Sequence, residues 1–153
     1  MWWSNLKKHN YGCAIAPSNA AKALGIATSA PWFKIQHFAD SEGLVALFAN
    51  FALYCDLSDR MLSLAAGLGP KQEIYSIDES FIDLTCLPGD LVERCRKVRF
   101  RILRWVGIPC GIGIGATKTL AKQANYIAKT AERKPGSYPS HLAQVCNLKA
   151  LSA

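Results

Sequence analysis

Acidic side chains are scarce in this sequence. None occurs before Asp40, and the 153 residues hold 11 Asp and Glu against 18 Lys and Arg. The resulting net charge of +7 favours a polyanionic partner such as nucleic acid, or else marks a merely basic soluble protein; the location of the positive charge has to decide. Long apolar runs are also missing. Charge or Gly interrupts each one well before the roughly 20 residues that a membrane-spanning helix needs. The opening "MWWSNLKKHN" has no apolar h-region and no cleavage site, so no signal peptide is read there. A soluble, cytoplasmic protein with no membrane partner is expected. No CxxC pair occurs among Cys13, Cys55, Cys86, Cys95, Cys110 and Cys146, and no His lies at metal-finger spacing. Reduced, mostly buried thiols are the expectation. There is no internal repeat and no low-complexity tract. What is present is a chain that is 50% hydrophobic, long enough for a real core and too apolar for a disordered tail.

Along the chain, "GCAIA" (Gly12–Ala16) reads as a short strand. Pro17-Ser18-Asn19 offers a turn and a helix start before "AAKALG", which Gly25 ends. "SAPWFK" reads as a loop around Pro31, and "GLVALFA" (Gly43–Ala49) is ambiguous between strand and helix. From Asn50 the pattern is helical: Leu53, Leu57, Met61 and Leu64 form one apolar stripe, closed by Gly67 and Gly69-Pro70. Leu91, Cys95, Val98 and Ile102 give a further helix whose outer face is basic, with Arg94, Arg96, Lys97, Arg99, Arg101 and Arg104. "IPCGIGIGA" (Ile108–Ala116) is a strand with alternating Gly, which marks close approach by another backbone or by a ligand. Thr117 is a good N-cap for a helix with Leu120, Ala124, Ile127 and Ala131 on one side. Lys118, Lys122, Asn125 and Lys129 fall on the other. That lysine line is either a solvated face or, following a Gly-rich strand, a phosphate-binding one. "ERKPGSYPS" reads as loop, and the tail to Ala153 has weak helical character.

The stretch "EIYSIDESFIDLT" (Glu73–Thr85) is rich in Ile, Tyr, Phe and Thr, which argues for strand. Its polar centre, Ser76–Ser80, fits a tight turn between two strands. Asp78 and Glu79 sit side by side in that turn. Two adjacent carboxylates repel and are costly to bury, so an exposed turn or nearby positive charge is required. Two Mg²⁺ ions would remove the repulsion and, about 3.5–4 Å apart, clamp an in-line phosphoryl displacement. Acidic turn residues are also common with no chemistry attached. Asp83 reads as an edge or hydrogen-bonding residue rather than a third ligand. The order of elements gives an α+β fold, read as a ferredoxin-like arrangement with an antiparallel sheet, helices on one face and the other face open.

"YSIDESFIDLT" followed by "GIGIGATKTLAKQANYIAK" resembles the palm of a Y-family, translesion DNA polymerase. "NYGCAIA", "AAKALGI", "PWFK" and "NFALYCDLSDRM" resemble the UmuC-like group, the catalytic subunits of bacterial polymerase V, in the same order. "PWFK" separates that branch from the DinB-like one. The similarity covers roughly Asn10 to Lys129. It implies an incomplete ferredoxin-like polymerase palm with a small helical fingers insertion: an unmatched segment 1–10, palm strand and turn 11–19, fingers-like region 20–49, palm 50–135 and tail 136–153. It implies that Asp78 and Glu79 hold two Mg²⁺ ions as the catalytic carboxylates. Lys129 and Lys22 then contact the incoming dNTP's triphosphate, and Lys118 and Lys122 contact DNA. Tyr54 and Ser58 support the site from the palm helix. The implied function is error-prone synthesis across damaged DNA in the SOS response, with an accessory polymerase V subunit and a recombinase filament as partners of the intact enzyme.

The departures from that pattern carry expectations of their own. The family's first strand, with another metal-binding Asp and the aromatic residue that excludes ribonucleotides, has no counterpart in "MWWSNLKKHN". Tyr11 stands where an Asp is expected, and Pro17-Ser18 replaces an Arg-Asn pair. No counterpart of the thumb or the little finger is expected in these 153 residues. A fragment without useful polymerase activity on its own is therefore expected, since displacing a catalytic group by about 1 Å can cost about a hundredfold. Three other readings compete: a non-catalytic module that grips DNA or a partner through the lysine line and the Arg94–Arg104 helix; another palm enzyme such as a nucleotide cyclase, against which the lack of glycines in "SIDES" counts; and an unstable chain without function, its sheet edge open.

Overall fold

Capping residues decide where the first helix begins and ends. In a computed structural model, which describes residues 12–148, the Ser18 side chain accepts a hydrogen bond from the Ala21 amide at 3.2 Å. It thereby starts helix α1 (Asn19–Ala23). Gly25 leaves the helix at φ +84°, a left-handed conformation that favours glycine. The expected strand is present in shortened form as β1 (Cys13–Ala14), paired antiparallel with β2 (Ala30–Pro31). The loop expected around Pro31 is thus a strand that runs into helices α2 (Trp32–Ile35) and α3 (His37–Ser41). Proline is tolerated there because a two-residue edge strand needs little from its missing N–H, and the Trp32 amide bonds the Gly12 carbonyl at 2.7 Å instead. The ambiguous Gly43–Ala49 segment forms neither helix nor strand. Ala21, Ile26 and Ile35 are buried beneath Trp32, Phe38 and Leu44. These elements belong to a compact unit that ends at Asn50; a second begins at Phe51.

The second unit opens with helix α4 (Phe51–Ala66). Its buried residues are Ser58 and Leu62, whereas Leu53, the first member of the expected stripe, is 47% exposed. Met61 and Leu64 of that stripe pack against the core, and Leu53 stands out because α4 meets its neighbours through its C-terminal half. Those neighbours are α5 (Leu91–Val106) and the hairpin of β3 (Lys71–Ile74) and β4 (Ser80–Asp83). The hairpin is antiparallel, with Glu73 opposite Phe81 and Ile74 opposite Ser80. Two strands and a tight turn therefore occupy the stretch expected to hold them. Asp83 has the local role expected of it, accepting the Thr85 amide at 2.9 Å where β4 ends.

Helix α5 starts at Asp90, which caps the Val92 and Glu93 amides, and stops at Gly107 with φ +79°. Cys95, Val98 and Ile102 are buried as the stripe requires, and join Leu68, Ile114 and Val145 in one core. Burial pushes the Cys95 thiol up to about 11, against a weaker pull down from Arg94. Arg99 is not on the basic outer face. It is only 8% exposed; its Nε donates to the Cys110 carbonyl at 2.7 Å and its Nη2 pairs with Glu132 at 3.1 Å. A buried guanidinium needs such partners for its donors.

Strand β5 (Ile112–Ile114) leads into helix α6 (Lys118–Arg133), which Thr117 caps through the Leu120 amide at 3.2 Å. The strand's glycine has a specific cause. A Cβ at Gly113 would lie 2.1 Å from the Ala121 carbonyl oxygen and 2.2 Å from the Asn125 amide nitrogen. The close approach foreseen from the glycines is thus made by the backbone of α6. Ala124, Ala128 and Ala131 form the buried seam; Leu120, expected inside, is 43% exposed in the helix's first turn. After a 3-10 turn (Ser140–Leu142) comes β6 (Val145–Asn147), which pairs parallel with β5. Parallel strands need a long crossover, and α6 supplies it. The described part of the tail thus holds a 3-10 turn and a strand where weak helical character was expected, with Val145 and Cys146 fully buried; the end of that expected segment, 149–153, lies outside the described residues.

The whole mixes helices and strands in a manner compatible with α+β. Its strands form three two-stranded sheets among the described residues, one of them parallel, where one antiparallel sheet was expected. Cysteine burial also departs from expectation: Cys13, Cys55 and Cys86 are exposed free thiols, and only Cys95 and Cys146 are fully enclosed. Among the described residues, no helix is long and apolar enough to cross a membrane.

Candidate functional site: a carboxylate turn facing a lysine helix

The turn between β3 and β4 presents the paired acids. Tyr75 and Ser76 amides both bond the Glu79 carbonyl, at 3.0 and 3.1 Å, which closes the turn tightly. From below, the buried Ser58 hydroxyl of α4 donates to the Ile77 carbonyl. Gln72 adds a brace: its amide nitrogen reaches the Leu62 carbonyl at 2.9 Å and the Ser80 hydroxyl at 3.2 Å. Asp78 is exposed and accepts the Ser76 hydroxyl at 2.6 Å. Glu79 is half-buried. The repulsion inherent in adjacent carboxylates is therefore met in two ways, by exposure and by a cation.

That cation is Lys122, whose Nζ lies 3.0 Å from Glu79 Oε2. One turn earlier, Lys118 binds both carboxylate oxygens of Glu73, at 2.6 and 2.5 Å. Each ammonium also rests over an aromatic ring, Lys122 over Tyr75 at 4.5 Å and Lys118 over Phe81 at 5.4 Å. The two rings meet edge to face at 5.7 Å. The hydrogen bond to Glu79 raises the Lys122 ammonium above the ordinary lysine value; desolvation opposes it, and the charges of Glu79, Tyr75 and Asp78 add to the rise. The first two residues of the lysine line are thus engaged by acids rather than standing free.

Lys129, further along α6, is half-buried, and its methylenes pass over Gly111, where a Cβ would come within 2.9 Å of them. Tyr54 is 41% exposed on α4 with its ring edge-on to Phe51 at 6.2 Å. Lys22 is exposed in the last turn of α1, in the N-terminal unit. The fold thus gathers Asp78, Glu79, Lys118, Lys122 and Ser58 at one end of the second unit. Glu73, Gln72, Tyr75 and Phe81 belong to the same cluster and were not anticipated. Alternation along β3 and β4 carried a signal for two of them, since Glu73 and Phe81 are cross-strand partners.

A groove of about 740 Å³ runs between the hairpin and the start of α6, its walls including Glu73, Phe81, Asp83, Gly115 and Lys118. Asp78 and Glu79 lie beyond its lining. Among the described residues, no group of three His, Cys, Asp or Glu converges in a way that could hold a metal ion. Mg²⁺ needs only one or two carboxylates when waters and substrate phosphates complete its octahedron. The Asp78–Glu79 pair fits that donor chemistry, provided that Lys122 yields Glu79.

Residues 4–126 match the impB/mucB/samB family, and the chain belongs to it. The match begins six residues ahead of Asn10, where the resemblance was expected to start, and ends three short of Lys129. The chain is 42% identical over 128 residues to Protein UmuC of Salmonella typhimurium, an alignment that covers 82% of this chain and 30% of that protein. It is 38% identical over 125 residues to Protein ImpB of Salmonella typhimurium, covering 79% and 29%. It is 35% identical over 120 residues to DNA polymerase IV of Picrophilus torridus, covering 76% and 33%. These relatives make it a UmuC-like member of the Y-family of polymerases. The chain spans about 30% of the length of the curated relatives it matches. No solved structure matches it.

Proposed function

We propose that this chain carries the acidic half of a translesion polymerase's nucleotidyl-transfer centre, with Asp78 and Glu79 as the residues that bind Mg²⁺. The observation that carries the reading is the carboxylate pair itself. It stands at the tip of a hairpin braced by Ser58 and Gln72, with a lysine helix alongside. The β3–β4 hairpin, α5 and β5 correspond on this reading to part of a ferredoxin-like palm, and the N-terminal helices to part of the fingers.

The residues then divide the work by charge. Asp78 and Glu79 supply hard oxygen donors, and a divalent ion bound there supplies Lewis-acid stabilisation of phosphate oxygens. Lys129 balances the negative charge of a dNTP triphosphate, and Lys22, in the N-terminal unit, has that role by family resemblance alone. Lys118 and Lys122 contact DNA phosphates once released from Glu73 and Glu79. Ser58 and Tyr54 support the turn from α4. The intact relatives' work, template-directed extension of a primer past damaged bases, is the activity to which such a centre would contribute. In this chain two carboxylates and a competing ammonium make for weak metal binding and little extension.

Calorimetric titration of Mg²⁺ and dNTP into wild type and Asp78→Ala tests the metal reading. Binding at least tenfold weaker in the variant is expected, and equal heats in both would overturn it. In a primer-extension assay the wild type should incorporate no more than Asp78→Ala; clear excess would show a competent enzyme. A second reading, a binding module without chemistry, is favoured by the two Lys–Glu pairs, which neutralise the carboxylates without any ion. It requires DNA binding that survives Asp78→Ala undiminished and no nucleotide binding in either protein.

A further inference from the structure

The outer face of α5 carries an unusual combination of exposed rings and cations, and it shares no residue with the carboxylate turn. Arg96, Lys97, Phe100, Arg101 and Arg104 recur at three- and four-residue intervals, so they form one stripe on the helix. Trp105 completes it at the C-terminal end. Together with Glu93 they line a shallow groove of about 430 Å³. Phe100 is 60% exposed and Trp105 is 67% exposed. Burying either ring is favourable, yet both stand in solvent, while the apolar side of the same helix is filled by Cys95, Val98 and Ile102.

Three of the four cations around the rings make contacts of their own. The Arg101 guanidinium lies 5.5 Å from the centre of the Trp105 ring. Arg96 donates to the His141 carbonyl at 3.2 Å, which fixes its position and leaves its charge unspent. Lys97 approaches Glu93 at 3.5 Å, and Glu93 is the one carboxylate of the groove against four cations. A surface that combines excess positive charge with flat, solvent-facing rings matches two features of an unpaired nucleic-acid strand: phosphates at regular spacing and bases with both faces free to stack. A duplex would offer the phosphates but keep its bases stacked. An acidic peptide would satisfy the arginines but gives the rings no flat partner.

We infer that the Arg96–Trp105 face of α5 is a binding surface for single-stranded nucleic acid, separate from the carboxylate turn. Bases stack on Phe100 and Trp105, and phosphates lie against Lys97, Arg101 and Arg104. The surface does not depend on any metal, so it stands or falls independently of Asp78 and Glu79.

The test is fluorescence anisotropy of a labelled 20-nucleotide oligo(dT) with the full chain, alongside quenching of tryptophan emission. Phe100→Ala/Trp105→Ala should weaken binding about tenfold or more, in keeping with the stacking contribution of single bases. Trp105→Phe should retain affinity within about twofold while losing most of the quenching, which separates stacking from a folding defect. Arg101→Gln/Arg104→Gln should flatten the slope of log affinity against log salt by about 1.4, as expected for two phosphate contacts on a single strand. Chelation of divalent ions with EDTA should leave oligonucleotide binding unchanged. Unchanged affinity in the ring variant would overturn the inference. So would equal affinity for duplex of the same length, or displacement of the oligonucleotide by poly-glutamate of matched charge.

Discussion

The seam between β5 and α6 and the turn between β3 and β4 lie in the same unit but are held by opposite means. At the seam, main chain meets main chain. Gly113 leaves no space between strand and helix, and Ala124 and Ala128 are fully buried behind it. At the turn, two main-chain bonds to the Glu79 carbonyl close the loop, and the ties to the rest of the fold are side-chain ones, from the buried Ser58 to Ile77 and from the exposed Lys122 to Glu79. Close-packed interiors tolerate almost no change of volume, whereas exposed ion pairs are individually weak and exchange partners readily. The seam therefore fixes where α6 lies, whereas the weaker ties at the turn would let Glu79 exchange Lys122 for another cation, as the proposed function requires. The same helix serves both, with its alanine side in the seam and its lysine side over the turn.

Substitution at the seam should have the largest effect. Gly113→Ala sets a methyl group against two backbone atoms that cannot rotate away. A loss of about 3 kcal/mol or more is expected in denaturant unfolding; a loss below about 1 kcal/mol would mean that helix and strand separate easily. Arg99→Leu comes next. It keeps the apolar stem but strands the Cys110 carbonyl and releases Glu132, and about 2 kcal/mol should be lost. Since Glu132 is 38% exposed, water takes over part of that interaction, so a larger loss would point to a tighter network than the geometry shows. Ser58→Ala should cost only about 1 kcal/mol, but the loss should fall on the turn. Amide exchange at Tyr75 and Ser76 should accelerate in this variant while that of α6 stays unchanged. Uniform acceleration would erase the contrast between seam and turn.

Much of this organisation was legible before the structure. The hairpin could be read from β-forming residues on either side of a polar centre, and two helix starts from Ser18 and Thr117, because caps and turns are settled by neighbours in the chain. The lysine line of α6 was equally visible. Its engagement by Glu73 and Glu79 was not, since those partners lie more than 40 residues away. Arg99 was read as one of six outward cations, although its turn of the helix faces the Cys110 carbonyl. Leu120 falls on the apolar side of α6 by periodicity, yet it is 43% exposed in the helix's first turn. β6 was missed altogether: three residues carry no usable period, and their strand state comes from pairing with β5 across a helix.

The sequence by itself determined the local grammar of this protein: its element starts and stops, the carboxylates at a turn, a cationic helix after a glycine strand, and a basic α5. It also determined family membership, because motifs in a fixed order survive as a one-dimensional pattern. Tertiary structure alone decided that the glycines serve helix packing, that Lys118 and Lys122 answer Glu73 and Glu79, and that Arg99 turns inward. It alone decided that Phe100 and Trp105 stand in solvent beside their arginines. The physical reason is the same in each case. Capping and turn formation involve atoms a few residues apart, whereas charge pairing, burial and close packing depend on which surfaces meet when the chain has closed.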